Sequence, residues 1–139
     1  MKAYTTIEES KQLIEAGLDP KTSDMYYSFM GEHIKEAKSE DFTIHVGTAY
    51  TIKDNHFSYR YGYVIPCWSL AALLELLPKS INAVNVYGEK IDCELRIHPL
   101  DQNAVYYIEP DGTPFYFHKG EFLFNNIVET LKWVYSIKI

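Results

Sequence analysis

Apolar residues recur along this chain with two different periods. In "TTIEESKQLIEAGL" the residues Ile7, Leu13, Ile14 and Ala16 fall on a narrow helical face, which predicts a first helix over about residues 6–16. Thr5 and Glu8 have the spacing of a capping box at its start, the Thr5 hydroxyl on an early backbone N–H and the Glu8 carboxylate reaching back. Gly17 followed by Leu18 reads as a left-handed C-terminal cap with its apolar contact. Residues 19–41 fit either a helix interrupted by Gly31 or an extended piece followed by a polar loop. From there the period becomes two. Phe42, Ile44 and Val46 alternate with Thr43 and His45, and after a turn-like Lys53-Asp54-Asn55-His56 the residues Phe57, Tyr59, Tyr61, Tyr63 and Ile65 share one strand face. A β-hairpin over about 42–65 is expected.

The run "IPCWSLAALLELLPK" returns to the helical period. Leu70, Leu73, Leu74 and Leu77 sit at i, i+3, i+4 and i+7, widened by Ala71, Ala72 and Leu76, so a buried helix is predicted. Ser69 is its expected N-cap, Trp68 can staple onto Leu73, and Pro78 ends it. Full burial of the four stripe leucines would contribute about 6–12 kcal/mol of gross transfer free energy, as an upper bound.

The segment from Ala83 to Lys119 reads as four strands at regular spacing. The second is the clearest, with Ile91, Cys93, Leu95 and Ile97 opposed to Asp92, Glu94, Arg96 and His98. Asp111-Gly112 predicts a tight primed turn between the last two strands. A final helix is expected after "FLFNN", capped by Asn126 with Glu129 three residues on, and carrying a stripe of Ile127, Val128, Leu131, Val134 and Tyr135. The order of helix, hairpin, helix, strand meander and helix predicts one α+β domain over residues 1–139. Its mostly antiparallel sheet would have about five or six strands, packed against two or three helices.

Composition narrows the function classes. The net charge of −6, without a basic cluster, opposes direct nucleic-acid binding, which is driven by Lys and Arg displacing counterions. No apolar run approaches a membrane span and the start of the chain lacks the apolar centre of a signal peptide, so a cytoplasmic protein with no membrane partner is expected. The seven glycines are dispersed, with no phosphate-binding loop, and the five histidines show no metal-ligand spacing, so neither a cofactor nor a metal is expected. Two cysteines are too few for a disulfide framework.

Two functional readings follow. Tyr59, Tyr61 and Tyr63 on one strand face, with 15% aromatic residues and an acidic chain, point to an aromatic, acidic surface that takes a protein partner or a second copy. The alternative is a small cysteine-dependent hydrolase. Cys67 would be its nucleophile, polarised by the start of the central helix, with His98 or His118 as base and Asp101 or Asn103 as orienter. The Cys-Trp pair is similar to the start of the central helix in papain-like cysteine proteases, but the Cys-Gly-Ser lead-in of that family is absent.

The stretches "YTTIEESKQLIEAGLDPKTSDMYY", "IPCWSLAALLELLP" and "NNIVETLKWV" together resemble a group of uncharacterised small proteins encoded by prophages and conjugative elements of gut Bacteroidales. The resemblance covers the N-terminal helix with its Asp-Met-Tyr sequel, the Pro-x-Trp-Ser-Leu helix start and the last helix. It implies an accessory protein of a mobile element, acting in the bacterial cytoplasm. The residue between Pro and Trp varies in that group and is often alanine, which implies that Cys67 occupies a packing position.

Overall fold

In the computed structural model, which describes residues 3–29, 31, 33–47, 64–98, 103–120 and 122–137, three α-helices and seven strands form an α+β protein with two antiparallel sheets. The single sheet expected from the sequence is therefore two, of three and four strands. The chain divides into two compact units, residues 1–73 and 74–137.

In the first unit, helix α1 (Ile7–Ala16) starts one residue later than the capping-box spacing suggested. Thr6 is the N-cap: its hydroxyl accepts from Glu9 N–H at 3.1 Å, and the Glu9 carboxylate accepts from Thr6 N–H at 2.9 Å. Thr5 is diverted into the interior. At the other end Gly17, at φ 115°, donates to Ile14 C=O while Leu18 N–H reaches Leu13 C=O, the cap that the sequence predicted. Leu13 and Leu18 are buried.

Residues 19–41 take the extended option. Strand β1 (Met25–Ser28) follows a short 3-10 turn and lies at the centre of the three-stranded sheet, between β2 (Thr43–Val46) and β3 (Val64–Cys67). The register sets Tyr26 opposite His45 on one side and Pro66 on the other. Among the described residues β2 and β3 do not pair with each other, as the expected hairpin over 42–65 would have them, because β1 lies between them. The intervening residues 48–63, Tyr59, Tyr61 and Tyr63 included, lie outside the described residues. Among the described residues β3 pairs only with β1, and at such a sheet edge the missing N–H of Pro66 costs the ladder least.

Helix α2 (Leu70–Leu76) is capped as predicted by Ser69, whose hydroxyl accepts from Ala72 N–H at 3.2 Å. Its burial is narrower than the leucine spacing implied. Leu73 and Leu77 are buried, but Leu74 is 38% exposed and Leu70 half-buried. The fully buried part of the stripe is thus two leucines, worth about 3–6 kcal/mol of gross transfer free energy as an upper bound.

The second unit is a meander, β4 (Ser80–Val84), β5 (Lys90–His98), β6 (Ala104–Ile108) and β7 (Pro114–His118), followed by helix α3 (Leu123–Ser136). The first of these strands lies earlier than the sequence reading placed it, and Asn85–Glu89 forms the turn. The alternation along β5 holds: Cys93 is buried and Ile91, Leu95 and Ile97 are half-buried, while Asp92, Glu94, Arg96 and His98 are exposed. On the inner face Cys93, Tyr107 and Val134 form a core with Ile81, Leu95, Phe115 and Trp133 packed against it. Trp133 stacks on Tyr116 with centroids 3.9 Å apart and meets Tyr107 at 6.0 Å, so much of the aromatic content of this unit is structural.

Helix α3 begins three residues before Asn126. Instead of capping, Asn126 is buried and its amide donates to Asn103 C=O at 2.7 Å, tying the helix to the turn that precedes β6. A Cβ at Gly120 would come within 2.7 Å of Asn126 Oδ1, so any larger residue there requires the buried amide to shift. The expected stripe is present, with Ile127, Val128, Leu131 and Val134 all buried.

The observed capping frame makes a specific prediction. Thr6→Ala should lower unfolding free energy by about 1 kcal/mol in urea denaturation, whereas Glu8→Gln should change it by less than about 0.5 kcal/mol.

Candidate functional site

Cys67 ends β3 and is fully buried. Its Sγ donates to Thr5 C=O at 3.3 Å and accepts from the Thr5 hydroxyl at 3.5 Å. The same hydroxyl lies 2.7 Å from Ser10 Oγ and accepts Trp68 N–H at 3.0 Å, and the Thr5 carbonyl also accepts the Tyr27 hydroxyl at 2.8 Å. The network thus links α1, β1, β3 and the N-terminal segment through one threonine. Burial pushes the Cys67 thiol above its ordinary value, and the neighbouring Thr5 and Tyr27 hydroxyls only partly oppose it. Tyr27 is raised as well, by burial first and by the neighbouring Cys67 second. These groups favour a neutral thiol over the thiolate a nucleophile needs.

Beside this network, Asp24 holds the start of α2. Its carboxylate accepts Ser69 N–H at 2.9 Å and the Ser69 hydroxyl, placing negative charge at the positive end of that helix. Trp68, fully buried, donates its indole N–H to the Thr22 hydroxyl at 3.0 Å. Every residue from Pro66 to Ser69 therefore has a packing or hydrogen-bonding role.

The two histidines named with Cys67 belong to the second unit. His98 is exposed on the outer face of β5, its Nε2 2.9 Å from the Tyr106 hydroxyl, and His118 is half-buried at the end of β7. Asp101 is outside the described residues; Asn103 sits at φ 53° in the turn before β6. Cys93 is a buried thiol on the inner sheet face, raised by burial and then by Glu109 and Asp92. Among the described residues no group of three metal-ligating side chains is assembled, and no helix is long and apolar enough to cross a membrane.

The surface that the sequence reading missed lies at one end of the four-stranded sheet, where both hairpin turns emerge. They share one construction. In Asn85-Val86-Tyr87-Gly88-Glu89, Gly88 N–H reaches Asn85 C=O and Asn85 N–H reaches Glu89 C=O; in Glu109-Pro110-Asp111-Gly112-Thr113, the same bonds join Gly112 to Glu109 and Glu109 to Thr113. Gly88 and Gly112 are left-handed, at φ 79° and 90°. Each is a three-residue loop in which a turn precedes a left-handed glycine, rather than the two-residue primed turn expected at Asp111-Gly112.

Asn85 stiffens the first loop further, its side chain accepting from Tyr87 N–H at 2.9 Å and Glu89 N–H at 3.0 Å. The loop displays Val86 and Tyr87, which are 92% and 83% exposed. A concavity of about 630 Å³ lies between the loops, lined by Val84, Val86, Tyr87, Glu109, Asp111 and Phe115 among others. A second, of about 710 Å³, lies on the outer sheet face, with Asp92, Glu94, Arg96 and Glu109 in its lining. The signal is present in the sequence, since "NVYGE" and "EPDGT" place glycine at the same position, but the apolar "AVNVY" fits a strand equally well.

The raised thiol and phenols set a pH dependence. Cys67, Cys93, Tyr27, Tyr107 and Tyr116 all ionise less readily in the folded protein than in the unfolded chain, chiefly because burial disfavours the charged form. Their contribution is complete below the ordinary thiol value of 9.0. Above it the unfolded chain loses protons first, so stability should fall as pH rises through 9 to 11, measured by urea denaturation at each pH. Iodoacetamide should label native Cys67 more slowly than free cysteine at neutral pH. Thr5→Val, which keeps the volume but strands Trp68 N–H, should cost about 1–3 kcal/mol. No protein-family model, curated protein or solved structure matches this chain.

Proposed function

We propose that this chain is a non-enzymatic protein-interaction module acting through an aromatic, acidic surface. The supporting observation is the loop at Asn85–Glu89. It holds two large apolar side chains almost wholly in water on a turn closed by four hydrogen bonds. Exposed apolar side chains grouped with polar neighbours mark interaction sites, and a loop already ordered loses little entropy when it docks. Glu89 and the acidic residues of the second loop supply the charge.

Tyr59, Tyr61 and Tyr63 belong to the proposal through their shared strand face in the sequence. The resemblance to mobile-element proteins supports an accessory role in the bacterial cytoplasm, with a protein partner or a second copy as the bound species.

Two variants test the reading, Val86→Ser with Tyr87→Ser, and Tyr59→Ser with Tyr61→Ser and Tyr63→Ser. Self-association in analytical ultracentrifugation and partner capture in pull-downs should fall at least ten-fold in one or both, with circular dichroism unchanged. Unchanged association in both would sink it.

A further inference from the structure

The apolar cleft between the two loops and the acidic concavity on the outer sheet face share a residue, Glu109, which lines both. The cleft offers Val84, Val86, Tyr87 and Phe115 beside the polar Asn85 and Thr113 and the acidic Asp111; the outer face offers Asp92 and Glu94, with Glu109 shared. Arg96, the cation in this lining, is engaged by Glu94 at 2.8 Å. Asp111 at the mouth of the cleft accepts from Thr113 N–H at 2.9 Å, and that bond holds its carboxyl below the ordinary range, so it is charged at neutral pH. An open, partly apolar concavity therefore shares Glu109 with a group of carboxylates, and Lys90, opposite Val84 on β5, is the nearby cation on that face.

We infer that the hairpin end of the four-stranded sheet binds a protein segment that carries an apolar, preferably aromatic, anchor flanked by lysines or arginines. The inference rests on the interaction-module reading and names its partner class. Charge complementarity selects the occupant: a neutral apolar segment would leave Asp92, Glu109 and Asp111 partly desolvated without a counter-charge, and an acidic one would be repelled. The anchor would enter the cleft beside Val86 and Tyr87 while the basic flank crosses Glu109 to reach Asp92. Both loops are hydrogen-bonded before any partner arrives, so selection falls on the partner's charge and anchor rather than on loop rearrangement.

The test uses the full chain and three fluorescein-labelled twelve-residue peptides read by fluorescence anisotropy. One has a central tryptophan flanked by lysine and arginine, one replaces the tryptophan with serine, and one replaces the basic residues with glutamate. The basic tryptophan peptide should bind at least ten-fold more tightly than either control. Its affinity should fall about ten-fold in V86S/Y87S and in D92N/E109Q, and should weaken as salt rises from 50 to 500 mM. Absence of binding, equal binding of the controls, or indifference to both variants overturns the inference. If V86S/Y87S instead dissolves a homodimer seen by ultracentrifugation and the basic peptide does not compete, a second copy is the occupant: the partner class is then wrong while the interaction-module reading stands. Loss of no association in any variant, with no peptide bound, overturns both.

Discussion

The first unit depends on Thr5. One fully buried residue uses its N–H, its carbonyl and its hydroxyl at once, on Trp68, on Tyr27 and Cys67, and on Ser10 and Trp68. Buried polar groups are tolerated only when paired, and here each pairing spans a different element, so satisfying Thr5 requires the helix, the sheet and the N-terminal segment to be in place together. Among the described residues no buried side-chain nitrogen or oxygen is left without a partner. Cys67 takes its character from this arrangement: it is a small buried donor to a carbonyl.

The second unit is organised by an aromatic layer instead. Trp133 of α3 stacks on Tyr116 and approaches Tyr107 and Phe115, and the Tyr107 hydroxyl donates to Pro78 C=O at 2.7 Å. That packing consumes most of the inner face of the sheet and leaves Phe115 half-buried at its hairpin end. The outer face is left to Asp92, Glu94, Arg96 and His98, with Tyr106 between His98 and Phe117. The sheet is thus divided between a closed face and a wet one.

Much of this was legible in the sequence. Period-two alternation placed Cys93 inside and Asp92 outside because both faces of β5 differ in solvent contact, and Gly17 declared its cap because few other residues adopt its backbone conformation. What escaped was set by partners distant in sequence. Thr5 and Thr6 are equivalent as local capping residues; only the position of Trp68 and Tyr27 decides which one turns inward. Asn126 looked like a cap, but an amide can equally serve a carbonyl elsewhere, and Asn103 C=O claims it. The leucines of α2 showed the period of burial, not its extent. The place of β1 between β2 and β3 has no sequence signal, because its four residues are all half-buried and carry no alternation. The hairpin-end surface was hidden by apolar residues that a strand and an exposed turn can share.

The pairing between the N-terminal segment and the residues after β3 has a consequence for synthesis. Thr5 and Cys67 are 62 positions apart, and Tyr4 bridges to Ser69. At about 5–20 residues per second, the N-terminal segment would leave the ribosome about 3–12 s before the strand that completes its bonds. Until then the contacts of α1 with β3 cannot form, whereas each hairpin of the second unit can close almost as soon as it emerges. Of the two units, the one earlier in the chain is thus the one that must wait for its later partner.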